Sequence, residues 1–140
     1  MPTDQFGLQR FVEAQAGVYA QVCSELRAGQ KRSHWMWFVF PQIRGLGSSS
    51  MAQRYAISSV DEARAYLAHP VLGARLRECT ELVLGVHGKT VEAIFGYPDD
   101  LKFHSSMTLF ARVAEGQTIF SEALEKFFSG ALDRGTLALI

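Results

Sequence analysis

Apolar side chains recur at spacings of three and four residues along most of this 140-residue chain. One such stretch runs from Asp4 to about Ala28, and another runs from Leu72 to Val86 and ends near Gly88. These spacings place side chains on one face of an α-helix, whereas a half-buried strand requires strict alternation. No alternation in the sequence continues beyond four or five residues. The pattern therefore predicts an all-α fold.

Capping and helix-breaking residues divide this pattern into segments. Residues that favour the N-cap position precede five of the apolar stretches: Asp4, Ser33, Ser59, Thr90 and Asp99. Residues that end helices follow several of them: Gly29, Pro41, Gly88 and Gly96. The aromatic block 33–40 is too short to classify by periodicity, so a buried strand is the alternative to a helix there. We predict one compact domain over residues 1–140, built from about six to seven helices.

The charges cancel over the whole chain, with 14 Lys and Arg residues against 14 Asp and Glu residues. Proteins that bind duplex nucleic acid are normally strongly basic, so the balance argues against that class. The distribution is uneven, because residues 26–60 contain no acidic residue but five basic ones: Arg27, Lys31, Arg32, Arg44 and Arg54. This pattern favours one focused cationic site for a small anion.

The other whole-chain features indicate a cytoplasmic protein. No apolar run approaches the roughly 18–20 residues of a membrane span, and the first residues do not read as a signal peptide. Cys23 and Cys79 lie on separate apolar helical faces without a CxxC neighbour, which predicts buried thiols. The four histidines also lack metal-ligand spacing. We therefore expect no metal, no cofactor and no membrane partner, and the sequence says nothing about the oligomeric state.

A dense aromatic and cationic segment, residues 31–42, continues into a loop rich in glycine and serine. Aromatic rings can stack on a flat ligand, cations can bind phosphate, and glycines allow backbone N–H groups to approach an anion. The candidate ligand-binding residues here are Lys31, Trp35, Trp37, Gln42, Arg44, Gly45, Gly47 and Ser49. The alternative is that the tryptophans belong to the core and that Lys31 and Arg32 are solvated.

A second polar segment, residues 97–108, combines acids, a lysine and hydroxyls at the start of a predicted helix. Asp99 is most simply the N-cap, and the helix dipole favours an acid at Asp100. Such a helix start can also bind an anion, which adds three ligand-binding candidates: Lys102, Ser105 and Ser106. If the protein is an enzyme, His34 is the candidate for proton transfer and Asp100 is its candidate carboxylate partner.

Three groups of residues carry a resemblance to a known family. They are KRSHWMWFVFPQ at 31–42 with GLG at 45–47, AYLAHP at 65–70 with LG at 72–73, and PDD at 98–100 with SSMTLF at 105–110. At these motifs the chain resembles the small bacterial and fungal proteins grouped as domain of unknown function 1810. The resemblance implies a compact, mainly helical domain and brings no assigned activity. Members of that family sometimes carry the label calpastatin, but that inhibitor is a disordered repeat protein, which this composition excludes.

The Trp- and Phe-rich block and the C-terminal segment 124–137 are also similar to the YbiA-like N-glycosidase family, which is linked to riboflavin intermediates and ADP-ribose. No catalytic residue of that family is transferred to this chain. The similarity favours a phosphorylated-ribose ligand.

Three hypotheses about function follow from these residues. The first is an enzyme that acts on a small phosphorylated, nucleotide-like or ADP-ribose-like molecule, with hydrolysis of an N-glycosidic bond as the reaction. The second is a module that binds the same ligand without turnover. The third is a protein-interaction domain in which Trp35 and Trp37 form an exposed patch. Single-stranded RNA binding has the least support because the net charge is zero.

The first two hypotheses require the polar candidates to meet. Convergence of Lys31, His34, Arg44, Asp100 and Lys102 on one concave pocket would support them, whereas side chains on unrelated faces would contradict both and favour the protein-interaction domain. A pocket without an acid–base group would favour binding over catalysis. The expected partner in both is a small phosphate-bearing molecule.

Overall fold

The computed structural model describes residues 4–114 and 116–140, and its regular structure is helical. The helices of these residues are α1 (Gln9–Ala16), α2 (Tyr19–Arg27), α3 (Met36–Val39), α4 (Ser50–Arg54), α5 (Val60–Ala68), α6 (Leu72–Leu84), α7 (Val91–Phe95), α8 (Asp99–Val113), α9 (Ile119–Phe128) and α10 (Arg134–Leu139). The all-α prediction is confirmed. The predicted number of helices is wrong, because the described residues form ten helices rather than six to seven. Within the same residues, no helix is both long and apolar enough to cross a membrane.

The predicted first helix is in fact two helices, which accounts for part of the difference. The backbone leaves the helical region at Val18, where φ is −127°, directly after Gly17. The two halves then bury different faces, since α1 packs against α3 and α2 packs against α6. Two short helices, α4 and α10, account for the remainder, because segments of five or six residues carry little periodicity in a sequence. The helix favoured within residues 33–40 is present as α3.

Side-chain caps confirm several of the predicted helix boundaries. The Ser59 hydroxyl accepts a hydrogen bond from the Glu62 amide at 3.1 Å, and the Thr90 hydroxyl accepts one from the Ala93 amide at 3.1 Å. Gly29 ends α2 with a φ of +70°, a left-handed conformation that favours glycine. These boundaries were readable because each depends on residues close together in the chain.

Three of the predicted N-caps are wrong. Trp35 and Pro98 hold the cap positions of α3 and α8, in place of Ser33 and Asp99. Both of these side chains are engaged elsewhere, Ser33 with a carboxylate on α2 and Asp99 with two lysines. Leu8 holds the cap position of α1 in place of Asp4, whose carboxylate accepts hydrogen bonds from the amides of Leu8 and Gln9.

The longest helix, α8, organises the core and packs against α5, α7, α9 and α10. Phe103 on this helix is fully buried, and its ring lies 5.1 Å from that of Phe40 and 4.7 Å from that of Phe95. Burying one such aromatic side chain contributes about 1.5–3 kcal/mol. The contact with Phe40 fixes the aromatic segment 31–42 against the first turns of α8.

Packing also explains a helical glycine and the two cysteines. A Cβ added at Gly73 would lie 2.0 Å from the Leu67 carbonyl oxygen, so this glycine permits the close approach of α5 and α6. Both Cys23 and Cys79 are buried, as predicted, and burial raises the pKa of Cys79 to about 12. A thiol with a raised pKa is held in its unreactive protonated form at neutral pH.

A short backbone pairing closes the loop that follows the aromatic segment. Ile43 and Ile57 form an isolated parallel bridge, in which the Ile57 amide donates to the Gln42 carbonyl and the Arg44 amide donates to the Ile57 carbonyl, both at 2.8 Å. The loop between these strand-like residues contains α4. Its closure holds residues 42–56 beside the end of α3.

Candidate functional site

An open cavity of about 470 Å³ lies between the end of α3 and the 42–56 loop. We call it the Trp37 cavity. Five of the predicted ligand-binding residues line it: Trp37, Gln42, Arg44, Gly45 and Gly47. The loop contributes further lining residues that the sequence analysis did not select, among them Gln53 and Tyr55. The described lining residues include no carboxylate and no histidine, so Arg44 gives the cavity a positive charge.

The two glycines of the cavity have packing roles. Gly45 has a φ of +108°, and a Cβ there would lie 3.2 Å from a methyl carbon of Leu139. At Gly47 a Cβ would lie 2.6 Å from the Cβ of Ala52 on α4. Small residues are therefore needed at both positions to let the loop close around the cavity.

The Trp37 ring lines the cavity and also lies near a cluster of charged side chains at the start of α8. The Lys102 ammonium lies 5.1 Å from the Trp37 ring centroid and 3.3 Å from a carboxylate oxygen of Asp99. The second Asp99 oxygen lies 2.8 Å from the ammonium of Lys31. We call these three residues the Lys–Asp–Lys cluster. It brings together two predicted ligand-binding residues, Lys31 and Lys102, through an acid that had been assigned a capping role.

Trp35 has a different environment from Trp37, although both were predicted to bind ligand. Trp35 is 1 % exposed, and its indole N–H donates a hydrogen bond to Glu25 at 2.9 Å. Lys31 lies 5.2 Å from the Trp35 ring centroid. A ring that is fully covered offers no face to a ligand, so the prediction that Trp35 stacks on one is wrong. The exposed patch of the third hypothesis is also wrong, since Trp35 is buried and Trp37 is half-buried.

Glu25 on α2 holds the segment that leads to α3. Its carboxylate accepts hydrogen bonds from the backbone amides of Arg32 and Ser33, at 2.7 and 3.1 Å, from the Ser33 hydroxyl and from the Trp35 indole. Burial alone would raise the pKa of Glu25, but the donated hydrogen bonds, led by that of the Ser33 hydroxyl, lower it to about 2. Glu25 is therefore an ionised buried carboxylate that fixes the backbone of residues 32–35.

The five residues predicted to converge on one pocket do not all reach the Trp37 cavity, since its described lining includes Arg44 but not Lys31, His34, Asp100 or Lys102. His34 is exposed, and Asp100 is buried on the first turn of α8. One Asp100 carboxylate oxygen has no hydrogen-bond partner among the described residues, and the buried Ser106 hydroxyl is in the same situation.

The remaining predicted site residues have structural contacts. Ser49 is the N-cap of α4, where its hydroxyl accepts from the Ala52 amide at 3.1 Å. Ser105 donates to the Leu101 carbonyl and to the carboxylate of Asp133, which caps α10. Those hydrogen bonds stabilise the ends of short helices, and the one at Ser49 holds the backbone of Ala52, which lines the cavity.

Four residues at or beside the site were not selected as site residues from the sequence: Glu25, Asp99, Gln53 and Tyr55. The three-residue spacing of Asp99 and Lys102 was a usable signal for their ion pair, because i,i+3 side chains meet on a helix. Tyr55 follows the GLG motif at 45–47, which is part of the family resemblance. Nothing local marks the contacts of Glu25 with residues 32–35, which lie seven to ten residues further along the chain.

The comparisons with known proteins agree with the motif resemblance. The model of the family described as "Protein of unknown function (DUF1810)" matches residues 5–140, which is nearly the whole chain. The chain belongs to this family. Among solved structures, the DUF1810 chain is similar to the conserved hypothetical protein Rv1873 from Mycobacterium tuberculosis, with 60 % identity, a TM-score of 0.96 and coverage of 98 % of both chains. No match was found among curated proteins. The family and this neighbour both have an unassigned function.

Proposed function

We propose that the Trp37 cavity binds a small phosphorylated molecule that carries a flat ring, of the nucleotide or ADP-ribose type, and that it does so without catalysing a reaction. The observation that carries the proposal is the convergence of a half-buried tryptophan, an exposed arginine and two glutamines on one cavity. These side chains supply a stacking surface, an anion-binding group and hydrogen-bonding amides.

The size and polarity of the cavity suit a ligand of this class. Its volume of about 470 Å³ falls within the roughly 300–1,000 Å³ of sites for small molecules. Arg44 presents a planar set of donors that matches a phosphate in a bidentate manner. No described lining residue carries a negative charge that would repel the anion.

The aromatic and amide groups suit the ring of the ligand. Trp37 can stack on a nucleobase, and such stacking contributes about 1–3 kcal/mol per base in proteins that bind single strands. The Gln42 and Gln53 side chains can each donate and accept hydrogen bonds, as the edge of a base requires. One Gln53 donor already bonds the Ser48 carbonyl at 3.0 Å, which leaves its oxygen as an acceptor.

The side chains that line the cavity favour binding over N-glycosidic hydrolysis. A general acid or base must reach the reacting atom within about 2.6–3.2 Å, directly or through one water. His34 and Asp100, the two candidates for that role, are not among the described lining residues. If chromatography detects release of a free base from ADP-ribose or NAD, this part of the proposal is overturned.

The binding test is a thermal-shift screen followed by calorimetric titration with ADP-ribose, NAD, AMP and ribose 5-phosphate. A ligand present at 100 times its Kd stabilises the folded state by about 2.7 kcal/mol, which raises the Tm by several degrees. Arg44→Ala is expected to weaken binding tenfold or more, because a hydrogen bond to a charged group is lost. The matched control is Arg64→Ala, which removes an exposed arginine of α5 whose ion-pair partner, Asp61, is also exposed.

The controls define the outcomes. Binding that survives Arg64→Ala but is lost in Arg44→Ala supports the assignment of the cavity. No stabilisation by any of the four compounds contradicts the proposed ligand class. Binding that Arg44→Ala leaves unchanged places the ligand elsewhere in the molecule.

A further inference from the structure

The Lys–Asp–Lys cluster carries an excess of positive charge beside the Trp37 cavity. Two ammonium groups, Lys31 and Lys102, face the one carboxylate of Asp99 at 2.8 and 3.3 Å, so the cluster has one net positive charge at neutral pH. All three side chains are well shielded, with exposures of 7 % for Lys31, 23 % for Lys102 and 18 % for Asp99. Charges in such positions are screened less than charges on an open surface.

The cluster is close enough to act on the contents of the cavity. Lys102 is 5.1 Å from the centroid of the Trp37 ring, and Trp37 itself lines the cavity. A ligand that contacts the Trp37 ring therefore lies close to this ammonium. The distance from the ammonium to the ring is shorter than the Debye length at physiological ionic strength, about 8 Å, so the field of the cluster reaches such a ligand.

We propose that Asp99 limits the affinity of the Trp37 cavity for an anionic ligand by neutralising one of the two lysines beside it. The inference rests on the proposed function and deepens it. It assigns the ligand to compounds with a doubly charged phosphate group, such as a phosphate monoester, because Arg44 and the net charge of the cluster together supply two positive charges. Asp99 then acts as an electrostatic determinant of affinity without contacting the ligand.

A purely structural role for Asp99 makes the opposite prediction. If the carboxylate served only to hold Lys102 against the Trp37 ring, its removal would disorder the cavity wall and weaken binding. The electrostatic role predicts tighter binding instead, because removal of the carboxylate takes away the ion-pair partner of both ammonium groups. The direction of the change in affinity therefore separates the two roles.

The experiment compares four proteins in calorimetric titrations with AMP and with uncharged adenosine as the matched ligand. They are the unaltered chain, Asp99→Asn, Lys31→Met and the double variant with both changes. Lys31 is used because it lies over Trp35 rather than over the cavity ring, so its removal changes the charge and leaves the Trp37 wall in place. The net charge of the cluster rises by one in Asp99→Asn, falls by one in Lys31→Met and is unchanged in the double variant.

The expected order of affinity for AMP follows this charge. Asp99→Asn binds several-fold more tightly than the unaltered chain, Lys31→Met binds several-fold more weakly, and the double variant returns to within about twofold of the original. The differences shrink as salt is raised, and adenosine shows none of them. If Asp99→Asn and the double variant both bind more weakly than the unaltered chain, the electrostatic role is wrong.

Three further outcomes are informative. Asp99→Asn could fail to fold because Lys31 is left buried without its partner. In that case the comparison of Lys31→Met with the double variant decides. Recovery of affinity in the double variant supports the inference, and continued loss overturns it. If the unaltered chain binds none of the phosphorylated compounds, the proposed function itself fails. Binding by the unaltered chain with no charge-dependent order overturns the inference about Asp99 alone.

Discussion

Two tryptophans two residues apart in the sequence have opposite environments in the fold. Trp35 is fully buried and its indole N–H bonds Glu25, whereas Trp37 is half-buried and lines an open cavity. Each has a lysine ammonium near its ring, at 5.2 Å and 5.1 Å. A cation beside an aromatic ring is therefore no indication of a ligand site by itself. What distinguishes the two residues is whether a polar partner in the interior already holds the ring.

The largest expected effect tests whether Trp35 is a core residue and Trp37 is not. We expect Trp35→Ala to lower the free energy of unfolding by about 3–5 kcal/mol, since it opens a cavity in the core and removes a donor from the Glu25 carboxylate. Trp37→Ala is expected to cost less than half of this, because part of its ring is already solvated. Urea unfolding followed by circular dichroism measures both, and equal losses would contradict the distinction.

The second prediction concerns the carboxylate that holds Trp35. The pKa of Glu25 in the folded state is about 2, below its ordinary value of 4.5. Ionised Glu25 therefore stabilises the fold at every pH above 4.5. That contribution, about 3 kcal/mol, is lost as the pH falls from about 5 to 2. Unfolding measured over this range should show a steeper loss of stability in the unaltered chain than in Glu25→Gln.

Other acids also titrate in that interval, so the comparison with Glu25→Gln is needed. Hydrogen bonds lower the pKa of Asp4, and hydrogen bonds led by that of the Thr136 hydroxyl outweigh burial to lower that of Asp133. Both contribute to the acid sensitivity of the two proteins alike. If the two curves run parallel between pH 5 and 2, Glu25 is not ionised in the interior as described.

A smaller effect is expected at the wall of the cavity. Gly47→Ala places a Cβ within 2.6 Å of Ala52, so α4 must shift, at a cost of about 1–3 kcal/mol. The control is the same substitution at Gly88, where a Cβ would meet nothing within 4 Å. Its cost reflects the loss of backbone freedom and the strain of a positive φ, without a steric contact. Ligand binding should weaken in Gly47→Ala and remain unchanged in Gly88→Ala, as measured by thermal shift.

The contrast between the two tryptophans also shows which parts of the structure could be predicted from the sequence. The helical class and the caps at Ser59 and Thr90 depend on residues within one or two turns, which a sequence displays directly. The site depends on contacts across larger separations. Glu25 meets residues 32–35 after a turn, and Lys31 meets Asp99 across 68 positions. Local patterns could nominate Trp35 and Trp37 together, and only the tertiary contacts separate them.

The smallest expected effect is a spectroscopic one that needs no change in stability. In Trp37→Phe the remaining indole, Trp35, is buried, so acrylamide is expected to quench its fluorescence weakly. In Trp35→Phe the remaining indole, Trp37, is half-exposed and is expected to be quenched several-fold more strongly. A ligand that fills the cavity should protect Trp37 from acrylamide and leave the signal of Trp35 unaffected. Protection of both indoles, or of neither when calorimetry shows binding, would mean that the ligand site is not defined by the face of Trp37.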